Sequence, residues 1–175
     1  MKIYSAYLVL ISLTFSVCQS QNPQSDLLQA YPTVQIPHTD STNFDNHKPD
    51  KTLTFEQVKL FGLDRVLDIH PMAFKESKVG VNYLLDLSPD FTTVVFYYYF
   101  MDHEMSSTLV TYDKDFNVID SKMIAMDEIA ESILRSESTI QSDKIIITHY
   151  KFLNITEKEI ETVTVLSNGK IKTRR

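Results

Sequence analysis

Residues 91–101 read FTTVVFYYYFM, and this run of β-branched and aromatic side chains decides the fold class of the chain. Such residues favour strands over helices. Successive side chains of a strand point to opposite faces of its sheet, and here both alternating sets are largely apolar or aromatic. That pattern is typical of a sheet that is covered on both sides, so residues 91–101 predict a buried strand.

Further strand patterns lie on both sides of this run. Upstream, alternating apolar residues over 79–87 predict a strand that places Val79, Val81, Tyr83, Leu85 and Leu87 on one face. Downstream, strands are predicted at 107–112, 117–126, 136–141, 144–153, 159–166 and 171–174. Short turns join them. The sequence therefore predicts a mainly β (α+β) fold, an antiparallel meander that forms a curled sheet or a small barrel.

One short N-terminal helix is predicted ahead of these strands. Thr54 and Gln57 have the spacing of a capping box, apolar residues at helical spacing follow, and Gly62 suits the end of the helix. A single helical turn is also predicted at residues 127–134, with Asp127 as its cap.

The beginning of the chain predicts export. Lys2 precedes an uncharged, mostly apolar run over 3–17, which as a helix is about 22 Å long and shorter than the ~30 Å hydrocarbon core of a bilayer. We interpret residues 1–18 as a signal peptide. A short membrane anchor and a buried N-terminal strand are the alternatives. Polar residues and prolines predict a flexible linker over 19–51, followed by a β-rich globular domain over 52–175.

Cys18 is the single cysteine and ends the apolar run. Residues 15–18 resemble a bacterial lipobox, in which the cysteine is lipidated, although Phe15 and Val17 replace the residues usual in that pattern. The alternative is ordinary cleavage after Ser20. A single cysteine excludes an intramolecular disulfide and any zinc site built on a cysteine pair.

Two further pieces, TYDKDFNVIDSK at 111–122 and VLSNGKIKT at 165–173, have strand–turn–strand patterns. Together with the leader, the single cysteine and the polar tether, they make the chain resemble small bacterial cell-envelope lipoproteins of unknown function. The resemblance implies a place in the cell envelope, with membrane attachment through a lipid on Cys18, and it implies no activity.

Composition excludes several classes of function. The three glycines, Gly62, Gly80 and Gly169, are too far apart for the common glycine-rich phosphate loops or for G-x-S-x-G. The formal net charge of −6 gives no support for nucleic-acid binding. We therefore expect no nucleic-acid partner and no cofactor.

Aromatic residues provide one candidate site. Tyr97 and Tyr99 share a face of the strand predicted at 91–101 and would form a stacking platform for a sugar or a peptide. Packing in the core is the favoured alternative.

Polar residues provide the other candidates. Asp102, His103 and Glu104 are weak candidates for a metal site, and a polar turn is the favoured interpretation. His149 would form an acid/base pair with a carboxylate such as Glu161 across a hairpin, whereas a partly exposed histidine without a catalytic role is the favoured alternative.

Asp113-x-Asp115-x-Asn117 begins like a calcium loop. It lacks the glycine and the bidentate glutamate that an EF-hand requires at later positions, so a hairpin turn is predicted instead.

These observations lead to three hypotheses. The leading one is an exported, non-catalytic binding or structural module whose ligand is an unknown protein or small molecule. The second is a hydrolase or a metal-dependent enzyme that uses scattered residues such as His103, Glu104 and His149. The third is an inhibitor or immunity-type protein that blocks a partner's active site with a loop over 102–106.

Overall fold

The computed structural model describes residues 22–41, 51–101, 104–128, 134–152 and 156–174. Cys18, Asp102 and His103 lie outside these residues, as does the predicted signal peptide. The helices are α1 (Pro23–Leu28), α2 (Phe55–Leu60), α3 (Leu63–Val66) and α4 (Pro71–Phe74). The strands are β1 (Thr33–Val34), β2 (His38–Ser41), β3 (Ser77–Leu85), β4 (Thr92–Phe100), β5 (Glu104–Tyr112), β6 (Val118–Glu128), β7 (Leu134–Ile140), β8 (Ile145–Phe152), β9 (Thr156–Val165) and β10 (Ile171–Arg174).

All ten strands belong to one sheet. Its order is β1-β3-β4-β5-β6-β7-β8-β9-β10, and β2 pairs with β7. Neighbours from β3 to β10 are antiparallel, and the strands predicted from residue 107 onward are all present, with bounds shifted by three residues or fewer. The mainly β antiparallel meander is thus confirmed, and the sheet is not closed into a barrel.

The sheet curls at the junction of β6 and β7. Among the described residues, these strands pair through Met126 with Ser136 and Asp127 with Arg135, and the beginning of β6 separates from β7. That part of β6 approaches β10 instead, where Asp120 Oδ2 accepts a hydrogen bond from the Ile171 N–H at 2.8 Å. The curl encloses an apolar core on what we call the concave face, formed by Tyr83, Leu85, Val95, Leu109, Ile124, Ile140, Ile145, Ile147 and Val163.

Helices cover the opposite side of β3, β4 and β5. There the helix-side core contains Leu28, Leu53, Val58, Phe61, Leu63, Ile69, Val79, Val81, Val94, Phe96, Val110 and Tyr112. Val95 belongs to the core of the concave face and Phe96 to the helix-side core, and both are fully buried. The prediction that residues 91–101 form a strand covered on both faces is therefore confirmed.

A β-bulge corrects the prediction for β3. The register with β4 shifts between Val81, which lies opposite Phe96, and Tyr83, which lies opposite Val95. The extra residue, Asn82, inverts the alternation of side chains. The predicted single apolar face is therefore wrong, because the strand packs under the helices before the bulge and in the concave core after it.

The predicted helix start is confirmed. The Thr54 hydroxyl accepts the Gln57 N–H, and the Gln57 side chain accepts the Thr54 N–H, so both halves of the capping box are present. The helix ends before Gly62, whose φ of 67° is left-handed and suits glycine.

The helical turn predicted at 127–134 is wrong over its described residues. β6 continues through Glu128 and β7 begins at Leu134. Asp127 lies opposite Met105 on one side and Arg135 on the other, so strand pairing uses the backbone groups that a helical turn would need.

Part of the predicted linker is folded. Residues 22–41, within the predicted linker 19–51, form α1, β1 and β2. Leu28 of α1 is buried in the helix-side core, and Asp40 of β2 is also buried. Apolar burial and strand pairing here offset the entropy cost of ordering the segment, which corrects the expectation of a flexible tether over these residues.

Gly80 is required by the side chain of Tyr97, which lies across it. A Cβ at position 80 would overlap the Tyr97 ring and hydroxyl. Tyr97 is 3% exposed and donates a hydrogen bond to the Lys51 carbonyl at 2.9 Å, so it has little room to move. We expect Gly80→Ala to lower the free energy of unfolding by about 1–3 kcal/mol, measured by urea denaturation.

A double-mutant cycle separates this overlap from a general effect on the strand. In a Tyr97→Ala background the obstructing ring is gone, so the cost of Gly80→Ala should fall below about 1 kcal/mol. An unchanged cost in that background would contradict the packing argument.

Candidate functional site

Four polar residues of the concave face form one group, which we call the His149 cluster: Ser136, His149, Glu161 and Lys122. The strand register brings three of them together. Ser136 lies directly opposite His149, and Glu161 is on the diagonal because Glu159 is the direct partner of His149. Alternation along the strands places these side chains on the same face as buried Ile147 and Val163. The curl of the sheet adds Lys122 from β6.

The cluster is a continuous chain of polar contacts. Ser136 Oγ lies 2.8 Å from His149 Nδ1, and His149 Nε2 lies 3.2 Å from Glu161 Oε2. Lys122 Nζ donates to Glu161 Oε1 at 2.6 Å. An ionised carboxylate only accepts hydrogen bonds, so His149 carries a proton on Nε2, and a neutral ring accepts the Ser136 hydroxyl at Nδ1.

Solvent reaches the members of the cluster unequally. Ser136 is 5% exposed, whereas the side chain of His149 is 36% exposed. A cleft of about 500 Å³ adjoins it and is lined by Lys122, His149, Glu159, Ile160 and Glu161. A ligand in this cleft would therefore meet the histidine ring and the two glutamates, with the serine behind them.

Opposing effects act on the pKa of Glu161. Burial raises the pKa, but the hydrogen bonds from Lys122 and His149 and the positive charge of Lys122 outweigh it, so the net pKa lies below the ordinary value of 4.5. The carboxylate is therefore ionised near neutral pH and ties β9 to β6 and β8.

The lowered pKa predicts a dependence of stability on pH. The contribution of Glu161 is fully present above pH 4.5 and is lost as the pH falls below 4.5 through the folded-state pKa. We expect Glu161→Gln to lower the free energy of unfolding by about 1–2 kcal/mol at pH 7. The difference from the unmodified protein should shrink in urea titrations at lower pH.

Glu56→Gln is the matched control, since the side chain of Glu56 is 83% exposed and its pair with Lys59 lies on the surface. It should change stability by less than about 0.5 kcal/mol at any pH. A Glu161→Gln cost that persisted undiminished at acid pH would contradict the ionic origin of the effect.

The order Ser136–His149–Glu161 has the composition of a nucleophile, a base and an orienting carboxylate. Two features separate it from a working hydrolase site. Ser136 is buried, and it lies between two paired strands, opposite Met126 and His149. Backbone N–H groups inside a sheet are used by the ladder and do not form an oxyanion hole. The arrangement fixes the ring of His149 and presents it to the cleft.

The predicted aromatic platform does not have two open rings. Tyr97 is 3% exposed and packs over Gly80, so it offers no free ring face to a ligand. Tyr99 is half-buried, and Lys78 Nζ lies 5.4 Å from its ring centre. The alternative interpretation, packing in the core, describes Tyr97.

Only Glu104 of the three weak metal candidates lies in the described part of the chain. Glu104 begins β5 opposite Glu128. Burial raises its pKa, and the charge of Glu128 raises it further. The described residues contain no group of three or more histidine, cysteine, aspartate or glutamate side chains that could hold a metal ion.

The described part of the loop predicted at 102–106 is strand. Residues 104–106 belong to β5, and both Met105 and Ser106 are buried. Pairing with β4 on one side and β6 on the other uses their backbone groups. Residues 104–106 are therefore part of the sheet.

The hairpin interpretation of residues 113–117 is confirmed. Asp113 Oδ1 accepts the N–H groups of Asp115 at 2.9 Å and Asn117 at 2.8 Å. Hydrogen bonds from the Asn117 side chain and backbone lower the pKa of the exposed Asp113 carboxyl. The aspartate therefore organises the turn through its own neighbours.

Sequence reasoning singled out His149 and Glu161 but missed Ser136 and Lys122. The signal for Ser136 was present, because a tight turn at Ser142-Asp143 sets the register that puts residue 136 opposite residue 149. Lys122 reaches Glu161 only because the sheet curls, and no local pattern encodes that contact.

Comparison with known proteins adds no identification: no family model, no curated protein and no solved structure matches this chain. Within the described ranges, none of the helices has the length and apolar character needed to cross a bilayer.

Proposed function

We propose that the protein is a non-catalytic binding module exported to the cell envelope, and that it binds its ligand in the cleft beside the His149 cluster. One observation carries the proposal. The single hydroxyl of the cluster, on Ser136, is buried behind His149, while the histidine and the glutamates line an open cleft. Such a site can recognise a ligand without a nucleophile that reaches it.

The cleft has the properties of a binding site. Its volume of about 500 Å³ is in the range of ligand pockets. Its polar groups stand on paired strands and are held by hydrogen bonds, so they lose little freedom when a ligand binds. The ligand is a protein segment or a small molecule.

Export is supported by the sequence alone. Lys2, the uncharged run over 3–17 and the polar residues that follow have the profile of a signal peptide. Cleavage leaves either a lipidated Cys18 that attaches the protein to a membrane, or a free chain that begins at Gln21. The resemblance to envelope lipoproteins supports the first product.

Intact mass measured after cell fractionation tests the export part. We expect the envelope fraction to contain a chain that has lost residues 1–17 and gained a lipid on Cys18, or one that has lost residues 1–20. An uncut chain recovered from the cytosol would overturn export.

A hydrolase is the second candidate function. It is favoured by the serine–histidine–glutamate sequence of contacts, in which Ser136 lies 2.8 Å from His149 and His149 lies 3.2 Å from Glu161. A fluorophosphonate probe, which reacts with activated serines, separates the two functions. We expect no adduct on Ser136 in the intact protein. An adduct on Ser136 that disappears in a His149→Ala variant would show that the protein is a serine hydrolase and not a non-catalytic binding module.

A further inference from the structure

Beside the cleft, the outer edge of β9 has no partner strand over 156–161 among the described residues. β10 pairs only with residues 162–165, and no other strand in the described part of the chain lies against residues 156–161. These six residues extend over about 20 Å. Residues 156–160 are all exposed, and every second residue of such an edge directs its N–H and C=O groups outward. The edge is therefore a template for one more strand.

The two faces next to this edge differ in chemistry. On the concave face, Glu157, Glu159 and Glu161 lie at every second position of β9. The first two extend the acidic side of the cleft. On the opposite face, Ile160 is 59% exposed and Phe152 of β8 is 42% exposed. The ring of Phe152 stacks on Tyr150, with centroids 6.0 Å apart. The edge thus separates a face with Glu157 and Glu159 from a face with Ile160 and, one strand further in, Phe152. Lys151 is the cross-strand partner of Glu157 on the first face, and Lys158 lies on the second.

We propose that the open edge of β9 binds an extended peptide as an added antiparallel strand, in line with β10, and that this peptide alternates basic and apolar side chains. Main-chain hydrogen bonds to residues 156–161 hold the peptide, as in other cases of strand addition. Its basic side chains lie beside Glu157 and Glu159, and its apolar ones lie beside Ile160. This inference rests on the proposed function, because it names the class of ligand that the cleft receives.

Charge decides against a second copy of this chain as the occupant. Residues 156–161 contain three glutamates and one lysine. Two such edges paired with each other would bring glutamates together on one face, and like charges opposite each other destabilise a strand pair. A strand with basic residues on that face replaces this repulsion by attraction.

Two synthetic probes test the inference on the full folded protein. One is a capped eight-residue peptide that alternates Lys with Val or Thr, and the other has Glu in place of every Lys. Affinity is measured by fluorescence anisotropy, and the site is located by amide hydrogen exchange. We expect the Lys peptide to bind and to protect residues 156–161, and we expect the Glu peptide to do neither.

Variants then test the charge contacts. In Glu157→Lys/Glu159→Lys, repulsion replaces attraction between these two positions and the lysines of the peptide. The Lys peptide should therefore bind about tenfold more weakly, and the Glu peptide should gain affinity. The matched control is Glu76→Lys/Asp143→Lys, which changes the net charge equally at two exposed positions elsewhere. The control should bind the Lys peptide like the unmodified protein.

Three results would overturn the inference: equal binding of both peptides, binding without protection at residues 156–161, or an equal loss of affinity in the control variant. Protection of this edge that appears without peptide as the protein concentration rises would show a second copy as the occupant and would also overturn it. None of these results changes whether Ser136 reacts with a fluorophosphonate. Failure here is therefore distinguishable from failure of the proposed function.

Discussion

Phe96→Ala is expected to lower the free energy of unfolding by about 3–5 kcal/mol. Phe96 is fully buried on β4, with its ring centroid 5.4 Å from that of Phe61 and 6.4 Å from that of Tyr112. Phe61 is the C-cap of α2, so the ring of Phe96 joins the helices to the sheet. Urea denaturation followed by far-ultraviolet circular dichroism measures the loss.

Phe152→Ala is the matched control for this substitution. Phe152 is 42% exposed at the end of β8, so its truncation should cost less than about 1 kcal/mol. Phe96→Leu keeps more of the buried volume and should fall between the two. If Phe96→Ala cost no more than Phe152→Ala, the helix-side core would not be what stabilises the domain.

Phe96 also shows why the fold class could be predicted. Residues 91–101 combine β-branched and aromatic side chains with apolar residues on both faces, and these local properties are those of a doubly covered strand. The capping box at Thr54 and Gln57 was equally readable, since its two hydrogen bonds join residues three apart. In both cases the physical cause lies within a few residues of sequence.

Features that depend on distant contacts were not readable. In the sequence, the apolar residues at positions 79, 81, 83 and 85 alternate without interruption. In the structure, the bulge at Asn82 moves the last two to the opposite face of the sheet. β2 has the sequence HTDS and few strand-forming residues, and it becomes a strand by pairing with β7. Tertiary pairing, which local propensity does not contain, decides both cases.

Some contacts of the candidate site could likewise be predicted from local sequence, and one could not. The pairing of Ser136 with His149 follows from the turn at residues 142–143, and that of His149 with Glu161 from the next hairpin. The contact of Lys122 with Glu161 links strands that are three positions apart in the sheet order, and it requires the curl. A flat sheet with the same register would leave Glu161 without this cation.

Asp40→Ala is expected to lower the free energy of unfolding by about 2–5 kcal/mol, because it removes the acceptor of two buried hydroxyl groups. Asp40 is 6% exposed on β2. Its Oδ2 accepts a hydrogen bond from the Tyr83 hydroxyl at 2.6 Å, and its Oδ1 accepts one from Ser107 Oγ at 3.2 Å. Burial and the charge of Asp40 raise the pKa of Tyr83, so the phenol stays protonated as the donor.

A double-mutant cycle tests whether the effect comes from these hydrogen bonds. In a Tyr83→Phe background one donor is already absent, so Asp40→Ala should cost about 1–2 kcal/mol less than it does alone. Asp143→Ala, at an exposed turn, should cost less than about 0.5 kcal/mol. Because Asp40 is a buried link between β2 and both β3 and β5, its loss should also increase amide exchange at residues 38–41. Strictly additive costs would contradict this explanation, and so would unchanged amide exchange in β2. Either result would show that β2 is held on the domain by its strand pairing with β7 and not by Asp40.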